Sequence, residues 1–200
     1  MPLSALTVTK CARVAGGLKK IAVIDKNEIG GFSFSPTNHS VIDIFEPGTV
    51  NTIDASSGVE FTFRRNEARF EYTSERNDNG VDTCTINVYC SVPAPNKAQL
   101  EAIEALRDTC ELVVVVQEFG ESTPLRIFGV DKFEFGTMEY QSASHNSGTN
   151  RTETNMLELN MQAEQEELPY VLESLAQANL LTTGDTGTVA ENDAIFARLV

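Results

Sequence analysis

Few side chains in this chain could carry catalytic or metal chemistry. There are only two histidines, His39 and His145, and no HExxH, GxSxG, GxxxxGK[ST] or GxGxxG motif is present. An activated nucleophile, a general base or a bound metal needs partner residues at defined spacing. We therefore predict a protein that is not an enzyme, with no catalytic, cofactor-binding or metal-binding residues and no cofactor.

The four cysteines, at positions 11, 84, 90 and 110, form no CxxC pair. Cys84 and Cys90 lie six residues apart in a strand-like run, which would separate them by roughly 20 Å. A disulfide cannot span that distance. Buried, reduced thiols are the expectation.

Three groups of polar residues are predicted to have a structural role and no catalytic or metal-binding one. The acidic group at Glu164, Glu166 and Glu167 is predicted to be a solvated turn. Residues 77–82, NDNGVD, lack the twelve-residue pattern and closing glutamate of a calcium loop, so a hairpin turn is predicted. His145 stands among glycine and serine, which favours an exposed hydrogen-bonding role.

Basic residues cluster around the same hairpin. They alternate with acids, which favours ion pairing within or between subunits over a grip on phosphate. The basic residues are Arg64, Arg65, Arg69 and Arg76, and the interleaved acids are Glu60, Glu67, Glu71 and Glu75.

The overall charge is strongly acidic. Fifteen basic and twenty-nine acidic residues give a formal net charge of −14, although the first 26 residues contain five basic residues and one acid. A protein that grips DNA needs a basic footprint, and this composition argues against one. An acidic surface can still let DNA slide past without sticking, and it also serves plain solubility.

No apolar run approaches the roughly 20 residues that cross a bilayer. The first residues contain no apolar stretch behind a basic start, so we expect no secretory signal and no membrane partner. With 41% hydrophobic and 22% charged residues, the chain has the composition of a globular protein made in a cytoplasm.

Period-two alternation dominates the first half of the sequence. A strand is predicted over 18–26, and two long alternating arms flank Asn79-Gly80, the signature of a hairpin with one buried face. After Pro93 and Pro95, helical spacing behind an Asn96 cap predicts a helix over 96–109.

A second β half follows, with strands predicted over 112–118, 125–130, 132–142 and 152–164. A loop at 142–154, which has no large apolar residue, is predicted to protrude. We expect a basic N-terminal arm at 1–17, one β domain at 18–175 and an extended C-terminal tail at 176–200.

The predicted fold class is mainly β: a β-sandwich or rolled β-barrel with one flanking α-helix and long hairpins. One helix cannot bury two such hairpins in a monomer of this size. Their strand edges need partners, and a closed ring of copies would supply them.

This pattern resembles the tail tube proteins of tailed bacteriophages and the inner-tube proteins of contractile injection systems. The likeness runs from GGLKKIAVIDKNEIG at 16–30 through the hairpin and the helix. It is strongest over 110–172, with its strand, GV turn, Ser-Gly-Thr loop and closing E-x-L-P.

The resemblance implies hexameric rings that stack into a tube, with long hairpins forming a barrel around a DNA channel. The partners would be other copies, tail or neck proteins, and genomic DNA that passes without specific binding. The expected location is the virion tail, after assembly in the host cytoplasm.

Two alternatives remain open. A head–tail connector, neck or capsid decoration protein would share the β fold without lining a DNA channel. A β-sandwich adhesin or carbohydrate-binding module would bind glycans as a monomer.

Overall fold

The computed structural model describes residues 16–45, 58–64, 67–76, 80, 82–119, 125–132, 136–147 and 155–172. The predicted arm before residue 16, the tail from residue 176 and the loop residues 148–154 lie outside these ranges.

Within the described ranges the chain forms strands, one α-helix and a single turn of 3-10 helix at Lys26–Glu28. The helix, α1, spans Lys97–Asp108. The strands are β1 (Leu18–Asp25), β2 (Gly31–Phe34), β3 (Ser40–Phe45), β4 (Gly58–Thr62), β5 (Ala68–Arg76), β6 (Asp82–Pro93), β7 (Leu112–Glu118), β8 (Arg126–Phe128), β9 (Thr137–Asn146), β10 (Met156–Gln165) and β11 (Tyr170–Leu172).

All strands belong to one open, mixed sheet. Its main path runs β2-β3-β11-β8-β7-β9-β10-β6-β5, and β1 pairs with β7 and β4 beside that path. Every pair is antiparallel except β3 with β11. The predicted mainly β class with one helix is therefore confirmed.

Strands β1 and β7 lie at the centre of the molecule. Residues 112–117 of β7 are buried without interruption, and so are residues 21–24 of β1. Side chains on both faces of these strands are apolar, as expected for a strand covered on both sides. Alternate residues enter two different cores: Ile21 and Val23 join one, Ala22 and Ile24 the other.

The larger core lies between the β1–β7 layer and the four strands β9-β10-β6-β5. The smaller core lies on the opposite face, where β3, β8 and β11 supply Val41, Ile127, Tyr170 and Leu172, and side chains of β2 pack against them. The sheet thus folds back on both sides of its own central strands, and burial of apolar side chains on both faces fixes their positions.

The helix closes one side of the larger core. Asn96 and Gln99 form a capping box: each side chain accepts a hydrogen bond from the other's backbone N–H at 2.9 Å. Ile103 and Leu106 are buried, whereas Leu100 is 43% exposed. The predicted helix is confirmed.

The sheet branches at Gly129. Before Gly129, β8 pairs with residues 114–116 of β7; after it, β9 meets β7 only where Met138 faces Leu112. Gly129 has φ +77, and a Cβ there would lie 2.7 Å from the Leu112 carbonyl oxygen and from the Met138 nitrogen. Only glycine fits both the backbone angle and the space.

Both boundaries of β9 differ from the strand predicted over 132–142. The strand begins at Thr137, and residues 142–146 continue it instead of beginning the protruding loop. They pair with β10 through hydrogen bonds of the backbone, but their side chains are all exposed. Without a buried face, no apolar alternation marks the strand.

Candidate functional site

The strands β9-β10-β6-β5 form an antiparallel four-stranded sheet with two chemically different faces. The inner face is apolar: Ile86 and Val88 of β6, with Leu159 and Met161 of β10, are buried in the larger core. Because side chains alternate along a strand, the intervening residues all point to the outer face. That outer face is what the sheet presents to its surroundings.

We call the outer side of these four strands the polar face. Its side chains are mainly hydroxyls, amides and carboxylates, with five glutamates, one arginine and one methionine. The residues are Arg69, Glu71, Thr73 and Glu75 of β5, Thr83, Thr85, Asn87, Tyr89 and Ser91 of β6, Thr137, Glu139, Ser142, Ser144 and Asn146 of β9, and Met156, Glu158, Asn160, Gln162 and Glu164 of β10.

Two recesses lie over the polar face. The larger, of about 740 Å³, crosses all four strands in one row; Arg69, Tyr89, Ser142 and Glu158 line it, and residues 16–17, which precede β1, form part of its wall. The smaller, of about 470 Å³, lies over β9 and β10 and is lined by Thr137, Glu139, Gln141, Gln162 and Glu164. Both recesses are open to solvent, and the lining of the larger one is polar and apolar in equal parts, whereas that of the smaller one is mostly polar.

The single cation of this face is held over an aromatic ring. The Arg69 guanidinium carbon lies 4.8 Å from the ring centroid of Tyr89, its direct cross-strand partner. The Tyr89 hydroxyl donates to Glu71 Oε1 at 3.0 Å. This hydrogen bond to a carboxylate raises the pKa of Tyr89 above its usual range.

Both outer strands of the four-stranded sheet have an open edge. Among the described residues, β5 pairs with β6 alone. Strand β9 pairs with β10, and across its other edge it meets β7 only at Met138. From Glu139 to His145 that edge has no paired strand in the described part of the chain. Such edges are ready templates for another strand.

The β5 backbone groups that face outward can be identified. Ser91 N–H donates to the Glu67 carbonyl at 2.7 Å, so Glu67 faces β6. Alternation then directs the N–H groups of Arg69, Glu71 and Thr73 toward β6, and those of Tyr72 and Ser74 away from it.

The hairpin arginines pair only partly as predicted. Arg76 Nε donates to Asp82 Oδ1 at 2.6 Å and Nη2 to Oδ2 at 2.8 Å. Asp82 is not one of the four interleaved acids named from the sequence. The guanidinium lowers the pKa of Asp82. Arg65 lies outside the described residues.

The other candidate residues do not converge on a site. His145 is exposed and its Nε2 lies 2.7 Å from Asn155 Oδ1, which confirms the hydrogen-bonding role. Glu164 lies in β10, while Glu167 pairs with Lys132 at 3.3 Å. Of the predicted hairpin turn at 77–82, residues 77–79 and 81 lie outside the described residues, and the pairing of Arg76 with Asp82 joins β5 and β6 on either side of it.

The thiol prediction is half right. Cys84 and Cys90 are free and buried, as predicted, but Cys110 is free and exposed. Its position just after α1, at the start of the chain's return to β7, leaves it outside the core. Cys11 lies outside the described residues.

In the described ranges, no group of three or more His, Cys, Asp or Glu side chains could hold a metal ion. No helix of the described chain is long and apolar enough to cross a membrane. Comparison of the chain with family models, with curated proteins and with solved structures finds no match in any of the three.

Proposed function

We propose that this protein is a non-enzymatic structural subunit of a phage tail tube, in which six copies form a ring and stacked rings conduct DNA. One observation carries the proposal: a four-stranded antiparallel sheet that is open at both edges among the described residues and polar on its outer face. The sequence resemblance supplies the ring of six, the tube and the virion location.

The two open edges are complementary. Three antiparallel steps separate β9 from β5, so the two strands run in opposite directions. Strand β5 of one copy can therefore pair with β9 of the next as an antiparallel neighbour. Repetition around a ring removes both open edges from every copy.

The polar face would then line the channel. Five glutamates face it against the single Arg69, and that cation already contacts the Tyr89 ring. Phosphate groups would meet like charge and neutral amides, which disfavours tight binding and lets DNA slide. The other partners would be tail or neck proteins at the ends of the tube.

A connector or decoration protein remains the alternative within virions. Such a protein would need neither two complementary edges nor an acidic outer face. These features support the tube over that alternative, and the two open edges support it over a monomeric glycan-binding module.

The test is a proline at the open edge of β5. The Ser74 N–H faces away from β6, so Ser74→Pro removes an edge donor and leaves the β5–β6 hydrogen bonds intact. We expect the wild type to form rings or tubes in negative-stain micrographs at high concentration. Ser74→Pro should remain folded by circular dichroism and form neither.

Ser74→Ala is the matched control, because it changes the same side chain and keeps the N–H. It should assemble like the wild type. Rings formed equally well by the proline variant would rule out the β5 edge. A wild type that stays monomeric at every concentration and binds glycans would overturn the tail tube assignment itself.

A further inference from the structure

The far end of the sheet presents a different kind of open edge. Strand β2 is the last strand of the path and, among the described residues, pairs with β3 alone. Its side chains Phe32 and Phe34 pack against the smaller core but remain half-buried. Phe34 contacts Tyr170 with ring centroids 4.9 Å apart, so the edge opens directly onto the core.

The edge also has outward hydrogen-bonding groups. Ser35 N–H donates to the Ser40 carbonyl at 2.9 Å, which points Ser35 toward β3. Alternation along the strand then directs the N–H and C=O groups of Phe32 and Phe34 outward. An apolar strand edge of this kind invites pairing with other molecules unless something covers it.

The chain carries a segment that fits this edge. After Leu172 the sequence continues for 28 residues, and the last six, IFARLV, are its most apolar part. They contain no proline or glycine. In an extended conformation Ile195, Ala197 and Leu199 would share one wholly apolar face.

The connection is long enough. Strand β11 lies next to β3, so three strand spacings of about 4.8 Å separate it from a strand added outside β2, or about 14 Å. The intervening residues 173–194 are mostly small and polar, and a flexible linker of that length has an end-to-end distance of about 26 Å. At the β2 edge, the effective concentration of the chain's own terminal segment is therefore near the millimolar range.

We propose that residues 195–200 add to the β2 edge of their own chain as a covering strand. The apolar face of the segment covers Phe32 and Phe34, and its backbone pairs with the outward groups of β2. This proposal does not rest on the proposed function.

The test uses a fluorescein-labelled peptide of residues 192–200 and fluorescence anisotropy. A chain ending at Glu191 should bind it, because its β2 edge is uncovered. The full chain should not bind it, even at nanomolar chain concentration. Full-length protein with Ile195→Asp and Leu199→Asp should recover binding, which shows that the edge opens without truncation.

Two lysine variants of the truncated chain locate the site. Phe32→Lys places a charge on the covered face and should weaken peptide binding about tenfold or more. Ser33→Lys places the same charge on the other face of the same strand and should change it less than about threefold. Circular dichroism checks that both variants are folded.

Three outcomes would overturn the proposal. One is the absence of saturable binding to the truncated chain, and another is equal weakening by both lysine variants. The third is a full chain that excludes the peptide only when concentrated, because the tail would then cover the edge of a different copy.

Discussion

The Tyr89 hydroxyl donates a hydrogen bond to Oε1 of Glu71 at 3.0 Å, diagonally across the β5–β6 pair. The ring of Tyr89 also faces the Arg69 guanidinium. One aromatic side chain thus holds both a cation and an anion of the polar face in place. Cross-strand pairs of this kind fix side-chain positions on an exposed sheet.

Tyr89→Phe should change how stability depends on alkaline pH. The folded-state pKa of Tyr89 is raised, so its contribution to stability is fully present below the unfolded pKa of about 10 and is lost as pH rises through the folded pKa. Urea unfolding at about pH 9 and about pH 11 should show a larger loss for wild type than for Tyr89→Phe. Tyr72→Phe, on the opposite face of β5, controls for removal of a tyrosine, and an identical pH response of wild type and Tyr89→Phe would contradict the prediction.

Gly129→Ala should strongly destabilise the fold. The substitution combines a left-handed backbone, at about 1–2 kcal/mol, with overlap against the Leu112 and Met138 backbones, at about 1–3 kcal/mol. Gly80→Ala is the matched control: its φ is +80, but nothing lies within 4 Å of the added Cβ. Thermal unfolding should show a clearly larger loss for Gly129→Ala, and equal losses would mean that crowding at the branch point is unimportant.

The thiols should react in a strict order. Burial raises the pKa of Cys90 to about 12 and also raises the pKa of Cys84, and both side chains are fully covered. In a Cys11→Ser background, iodoacetamide at pH 8 should modify Cys110 quickly and leave the other two intact until urea is added. Peptide mass spectrometry reads the sites, and early labelling of Cys90 would contradict its burial.

Tyr170→Phe should leave stability unchanged or raise it by about 1 kcal/mol. The Tyr170 hydroxyl is buried and has no hydrogen-bond partner in the described chain, which costs free energy. Phenylalanine keeps the ring contacts with His39, at 4.0 Å between centroids, and with Phe34. Urea unfolding measures the change, and a loss above about 1 kcal/mol would show that the hydroxyl has a partner in solution.

Sequence patterns predicted elements that bury a face. The alternation of Cys84, Ile86, Val88 and Cys90 is the alternation of β6 in the larger core, and Asn96 starts the helix as predicted. These signals are local, because one residue's burial depends on its own position in a strand or helix.

The sequence does not predict which strands pair with each other, because pairing joins residues that are far apart in the chain. The neighbours β6 and β10 are 63 residues or more apart at every paired position, and no local pattern specifies that choice. The same applies to Arg76, whose partner Asp82 is set by the hairpin register. The end of β9 was missed because its last residues are exposed on both faces, so only backbone pairing defines it.

The four-stranded sheet has an even number of strands, so its first and last strands run in opposite directions. In the proposed ring, every junction between copies would therefore be antiparallel, like the pairs within one copy. Such junctions would allow a ring of any number of copies to close. The curvature of the sheet would set that number, and mutations that flatten or sharpen the curvature should change the diameter of the ring without changing how neighbours pair.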